Sequence, residues 1–95
     1  MLKIVFLDAK TVGEVPNFRI LEKQGNFKIY EKTELSQVLE RCLGQDVVIT
    51  SKVRMNKDLL THLPDLKLIC VAATGLNNID LEAAEKLNIQ VKNVA

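Results

Sequence analysis

Tryptophan is absent from this chain, and histidine, tyrosine, cysteine and proline are scarce, at one, one, two and two copies. Without an indole there is no tryptophan to stack a flavin ring. One histidine and two cysteines with no close spacing cannot build a zinc site of the usual kind, so no metal is expected. Neither G-x-G-x-x-G nor G-x-x-x-x-G-K-[ST] occurs, which removes the dinucleotide fingerprint and the P-loop. No apolar run approaches the ~20 residues that a membrane span requires. The apolar start Leu2-Lys3-Ile4-Val5-Phe6-Leu7 reaches Asp8 too soon for a signal peptide and lacks a small-residue cleavage site. A net charge of +1 gives no electrostatic reason for nucleic acid or anionic lipid. These absences describe a cytoplasmic protein, with Cys42 and Cys70 as small buried hydrophobes in a reducing setting.

What remains is globular: 47% of the 95 residues are hydrophobic and 26% charged, enough for one core and one domain over 1–95. Five strand-like runs stand out, Leu2–Leu7, Phe27–Tyr30, Asp46–Thr50, Leu66–Ala72 and Ile89–Val94. Helix-length segments separate them, and that alternation predicts a parallel sheet with helices on both faces. The clearest helix follows Thr33, where Leu35, Val38, Leu39, Cys42 and Leu43 fall on one stripe. Thr33 is the expected N-cap, and Gly44 the stop, because a positive φ costs glycine little. A shorter helix is expected over Asn56–Leu63, capped by Asn56 and halted by Pro64. Asp80 opens a third over Leu81–Leu87, with Glu82 and Lys86 matching the helix dipole and Asn88 available for a left-handed cap. A further helix is expected over Asn17–Gln24, with Phe18, Ile20 and Leu21 partly buried.

Strand order also follows from the pattern. The first, third and fourth runs are almost continuously apolar, as strands covered on both faces are. Phe27-Lys28-Ile29-Tyr30 and Ile89-Gln90-Val91-Lys92 alternate apolar with polar, which suits edges guarded by lysine. With right-handed crossovers this gives a three-layer, flavodoxin-like, doubly wound α/β sheet of five strands in the order 2-1-3-4-5. Ligands in such sheets gather beyond the carboxyl ends of the strands, where the order reverses. The segments to inspect are therefore Asp8–Pro16, Thr50–Met55 and Ala73–Asn78. Lys52 and Arg54 could attract an anion there, although spacing alone fits an ordinary solvated loop. In Ala72-Ala73-Thr74-Gly75-Leu76-Asn77-Asn78 the small residues allow close backbone approach to a carboxylate. Taken alone, that loop reads rather as a turn in which Gly75 only relieves backbone strain. His62, late in a short helix, is expected to be a surface or capping residue rather than a general base.

Asp46-Val47-Val48-Ile49-Thr50-Ser51-Lys52-Val53 and Leu66-Lys67-Leu68-Ile69-Cys70-Val71-Ala72-Ala73-Thr74-Gly75-Leu76-Asn77-Asn78-Ile79-Asp80 together resemble the D-isomer-specific 2-hydroxyacid dehydrogenases. The Ser-Lys-Val and Ala-Ala-Thr-Gly variants look closest to the hydroxypyruvate reductase (glycerate dehydrogenase) branch. The resemblance runs through Leu81-Glu82-Ala83-Ala84 to Ala95 and implies a substrate-binding half-domain whose NAD-binding Rossmann partner is missing. It implies that Ala73, Thr74 and Gly75 hold the carboxylate of a small 2-oxo or 2-hydroxy acid, with Lys52 beside them. Asn77, Asn78 and Asp80 would shape the loop and cap the next helix. It also implies NAD(H) or NADP(H) in the complete enzyme and none bound by these residues. No catalytic residue carries over, since the family's nucleotide motif, arginine clamp and acid–base histidine have no matching position here. Dehydrogenase turnover by the 95 residues alone is not expected.

Two rival readings of the same fold are weaker. A receiver domain needs an aspartate at the end of the third strand, where Thr50-Ser51 stand; a flavin module needs a phosphate cradle that the first loop lacks. A rival of another class is a scaffold without activity that pairs copies of itself, as a homodimer, through a face left by a missing domain.

Overall fold

A computed structural model describes residues 2–9, 26–72 and 75–93, except for the side chain of Asn26. Its sheet has five parallel strands: β1 (Lys3–Phe6), β2 (Asn26–Ile29), β3 (Val47–Thr50), β4 (Leu68–Val71) and β5 (Gln90–Asn93). Their order is β2-β1-β3-β4-β5, as the apolar runs predict. Val5 pairs with Lys28 on one side and Val48 on the other, and Val48 pairs in turn with Ile69. Three helices are described: α1 (Leu35–Cys42), α2 (Lys57–Thr61) and α3 (Leu81–Lys86). The crossovers containing them all step in the same direction across the sheet, so a constant right hand places them on one face. The main core lies there, with Val38, Cys42, Leu60, Ala83 and Ala84 against Val5, Leu7, Val48, Ile69 and Val71. Ile4, Phe6 and Ile49 are buried on the other face, beside Phe27, Val47 and Cys70. The helix expected over Asn17–Gln24 lies outside the described residues.

Two of the three caps follow the local sequence. Asn56 accepts the Leu59 N–H and Asp80 accepts the Ala83 N–H, at 2.9 and 3.0 Å. Gly44 adopts φ +77° and Asn88 φ +61°, each ending a helix in the left-handed region. His62 closes α2, and its Nδ1 lies 2.7 Å from the Asp58 carbonyl, a capping position.

The cap of α1 differs from expectation. Glu34, not Thr33, is the N-cap, and its backbone N–H donates to Gln37 Oε1 at 3.1 Å. Thr33 is drawn elsewhere, because its hydroxyl donates to the Leu7 carbonyl at 2.6 Å. That hydroxyl also accepts from Arg41 Nη1, whose guanidinium lies 3.9 Å from the centroid of the Tyr30 ring. The apolar stripe of α1 is likewise only half used: Val38 and Cys42 are buried, whereas Leu35, Leu39 and Leu43 are exposed. A helix of 8 residues can turn only one narrow side to the sheet, and Leu35, 82% exposed, falls off its edge.

Candidate functional site

The carboxyl edge of β1 and β3, where strand order reverses, opens into a cleft of about 380 Å³. Asp8 forms its floor, the loop Glu31–Glu34 and the start of α1 one wall, and Lys52, Val53 and Arg54 the other. Hydrogen bonding continues past the ends of the strands at this edge. The Leu7 N–H donates to the Ile49 carbonyl at 3.0 Å, and the Ala72 N–H to the Thr50 carbonyl at 2.9 Å. Both loops that follow β3 and β4 therefore start from fixed positions.

The main polar feature of the cleft, Asp8, heads one of the three segments in which a site is expected, but has no role of its own in that expectation. Asp8 is 5% exposed, and its carboxylate binds the end of β3. Oδ1 accepts from the Ser51 N–H at 2.8 Å and the Thr50 hydroxyl at 3.1 Å, while Oδ2 accepts from the Lys52 N–H at 2.8 Å. Thr50 Oγ1 also accepts the Val53 N–H at 3.0 Å, which tightens the turn. The sequence signal was present in outline: an aspartate directly after one apolar strand, and Thr-Ser directly after the strand beside it.

Of the residues singled out in advance, Lys52 is exposed and lines the cleft with Arg54. Among the described residues neither cation has an ion-pair partner. Gly75 is exposed and lies outside this cleft, in the loop after β4. Ala73 and Thr74 lie outside the described residues. The loops carrying Lys52 and Gly75 are nevertheless joined, through a parallel bridge between Met55 and Ile79. The Met55 N–H donates to the Asn78 carbonyl, the Asp80 N–H to the Met55 carbonyl, and Asn78 Nδ2 to the Val53 carbonyl, at 2.8, 3.0 and 2.8 Å. Asn78 and Asp80 thus shape the loop and cap α3. Gly75 is not held by strain, since its φ lies outside the left-handed region, and among the described residues an added Cβ would meet only Asn77 Nδ2, at 4.0 Å. The described fold does not demand a glycine there. Open space above it is what a closely approaching ligand would use.

Cys42 is fully buried, which pushes its thiol up to about 12, and the partly buried Cys70 thiol is raised by the same cause. Neither is an activated nucleophile. No group of three His, Cys, Asp or Glu side chains among the described residues could hold a metal ion, and no helix among them is long and apolar enough to cross a membrane.

The model of the D-isomer-specific 2-hydroxyacid dehydrogenase catalytic domain matches residues 4–95. The chain belongs to that family. A Haemophilus influenzae relative, provisionally named a 2-hydroxyacid dehydrogenase, is 43% identical over 93 residues, spanning 98% of this chain and 30% of its own. A glycerate dehydrogenase of Methylorubrum extorquens is 39% identical over 93 residues, spanning 97% of this chain and 29% of its own. Among solved structures, D-lactate dehydrogenase of Aquifex aeolicus, complexed with NAD and lactic acid, superposes with a TM-score of 0.78. It is 25% identical and covers 97% of this chain and 28% of that one. The chain thus spans about 30% of the length of the relatives it matches. The dehydrogenase family's nucleotide does not fit the residues of the cleft. A pyrophosphate at the carboxyl end of β1 would meet the Asp8 carboxylate, where it needs free backbone N–H groups.

Proposed function

We propose that residues 1–95 are the substrate-binding part of an NAD(P)-dependent D-2-hydroxyacid dehydrogenase of the hydroxypyruvate or glyoxylate reductase type. The complete enzyme would reduce a small 2-oxo acid to the D-2-hydroxy acid. Lys52 would attract the acid's carboxylate, and the backbone of Ala73, Thr74 and Gly75 would receive it. The nucleotide, the acid–base group and the arginine clamp would come from a Rossmann domain outside these residues, so no catalytic residue is assigned here and no turnover is expected from them alone. The observation that carries this reading is the joining of the Lys52 loop to the Gly75 loop at the carboxyl edge, in a chain of this family. The resemblance to glycerate dehydrogenase supports the choice of acid. Two free thiols suit a cytoplasmic setting.

An amide NMR titration tests the proposal, with hydroxypyruvate in one series and NADH in another. Saturable shifts at Lys52 and Gly75–Asn77 with the acid and none with NADH are expected. They should be lost in Lys52→Met, which leaves the remaining spectrum unchanged. Silence at millimolar hydroxypyruvate, or equal shifts in the variant, would overturn the assignment. The exposed row Leu35, Leu39 and Leu43 favours one alternative, a scaffold that pairs copies of itself. Sedimentation of wild type beside Leu39→Glu decides it, since a dimer that dissociates in the variant requires that surface.

A further inference from the structure

Two successive backbone N–H groups converging on one anion form a nest, a concavity that can bind a ligand's oxyanion. At the end of β3 the Ser51 and Lys52 N–H groups form such a pair, and the Thr50 hydroxyl adds a third donor. The anion bound there belongs to the chain itself: the Asp8 carboxylate, more than 40 residues away in sequence and nine-tenths buried. This arrangement has two consequences for Lys52. Its backbone is tied to the centre of the sheet although the residue stands in a loop, so its exposed side chain leaves from a fixed point on the cleft wall. The N–H groups that an incoming carboxylate would otherwise take are also already occupied.

We propose that Asp8 is a positioning residue, which clamps the Ser51–Lys52 backbone and fills its anion nest so that an acid substrate is directed to the Lys52 ammonium. The proposal rests on the reading of Lys52 as a substrate contact. Its electrostatics have an unusual sign. Asp8 puts negative charge on the floor of a cleft meant for an anion, so neutralising it should tighten binding if charge were its only effect. As a clamp it should do the opposite. Asparagine at this position keeps one acceptor but turns an NH2 group toward a backbone donor, releasing one arm of the grip.

The test titrates hydroxypyruvate into the wild-type chain and Asp8→Asn, followed by amide NMR. A dissociation constant about fivefold to tenfold weaker in the variant is expected, the net worth of about one ordinary hydrogen bond. Equal or tighter binding would overturn the proposal. Should the Asn variant not fold, the wild type still decides. Hydrogen-bond scalar couplings should link the Ser51 and Lys52 amide nitrogens to the Asp8 carboxyl carbon, and their absence would overturn the clamp. Asp8→Ala adds a rescue arm, because formate has the size and charge of the group removed. Saturable return of the native Ser51 and Lys52 resonances with formate, but not with chloride at equal ionic strength, supports the nest. Equal rescue by chloride counts against it. If the wild type binds no acid, the assignment of Lys52 falls, and the couplings and the formate arm alone decide the clamp.

Discussion

At each end of the sheet one aspartate and one glycine can be compared, and the two pairs differ in what holds them. At the amino edge, Asp46 leads into β3 and reaches sideways to both neighbours. It accepts the Lys3 N–H at 2.9 Å and the Lys67 ammonium at 2.7 Å, joining the starts of three adjacent strands in a partly exposed position. At the carboxyl edge, Asp8 joins β1 to β3 through two backbone N–H groups and a hydroxyl, out of water. Gly44 near the amino edge has a backbone conformation that other residues resist, in open space. Gly75 near the carboxyl edge has no strained φ and, among the described residues, no crowding to explain it. One edge is held by a partly exposed carboxylate with a backbone N–H and a lysine, contacts that any strand start could use. The other places a buried anion where the strand order reverses and, in the loop after β4, a glycine that the described residues do not require.

The sharpest way to break this contrast is to remove the buried anion. Asp8→Ala would leave three donors facing a cavity, and destabilisation of about 3 kcal/mol is expected. Urea unfolding measures it, and a loss under about 1 kcal/mol would place Asp8 with the surface residues. Gly44→Ala comes next. Its φ of +77° strains any residue with a Cβ, but nothing lies within 4 Å to clash. The expected cost is therefore the conformational one alone, about 1 kcal/mol. A much larger loss would mean that the turn does more than end α1.

Most of the fold could be read from the chain, because the signals that set it are local or periodic. Continuous apolar runs distinguished central strands from edges, and Asn56, Asp80, Gly44 and Asn88 marked helix ends within a few residues of their partners. The misreadings have a common cause. Thr33 has every local mark of an N-cap, yet its hydroxyl is taken by Leu7, 26 residues away. The apolar period of α1 located a stripe but not how much of it the sheet would cover. The grip of Asp8 on Thr50, Ser51 and Lys52 spans more than 40 residues and has no periodicity at all. Site geometry is made of such long-range contacts. Lys52 and Gly75 are candidates through the family resemblance of their loops, whereas what holds the Lys52 loop in place is marked by no motif in the sequence.

Asp46→Asn probes the amino edge, and there pH separates the effects. The Lys67 ammonium and then the Lys3 N–H hold the Asp46 carboxyl below its usual 3.8. A carboxyl lowered by folding stabilises the native state above its unfolded value and loses that contribution as pH falls through the folded one. Lys67, raised above 10.5 by the same bond, keeps its share until pH climbs past that point. The wild type should therefore exceed Asp46→Asn in urea midpoint by a small, level margin between about pH 5 and 9, closing below about pH 4. A margin that widened in acid would reverse the sign and refute the assignment.

Gly75→Ala should have the smallest effect on stability and the clearest effect on binding. Because φ is unstrained and the nearest foreign atom would be 4.0 Å from the new methyl group, the fold has no reason to resist it. Reduced freedom of the unfolded chain makes the expected change lie between nothing and a gain of about 0.5 kcal/mol. A carboxylate that comes close to the backbone of this loop has less room, and the methyl group takes some of it. The hydroxypyruvate titration should therefore weaken severalfold while the urea midpoint stays level or rises. Loss of stability without loss of binding would make Gly75 a second Gly44, and the contrast between the two edges would then rest on Asp8 alone.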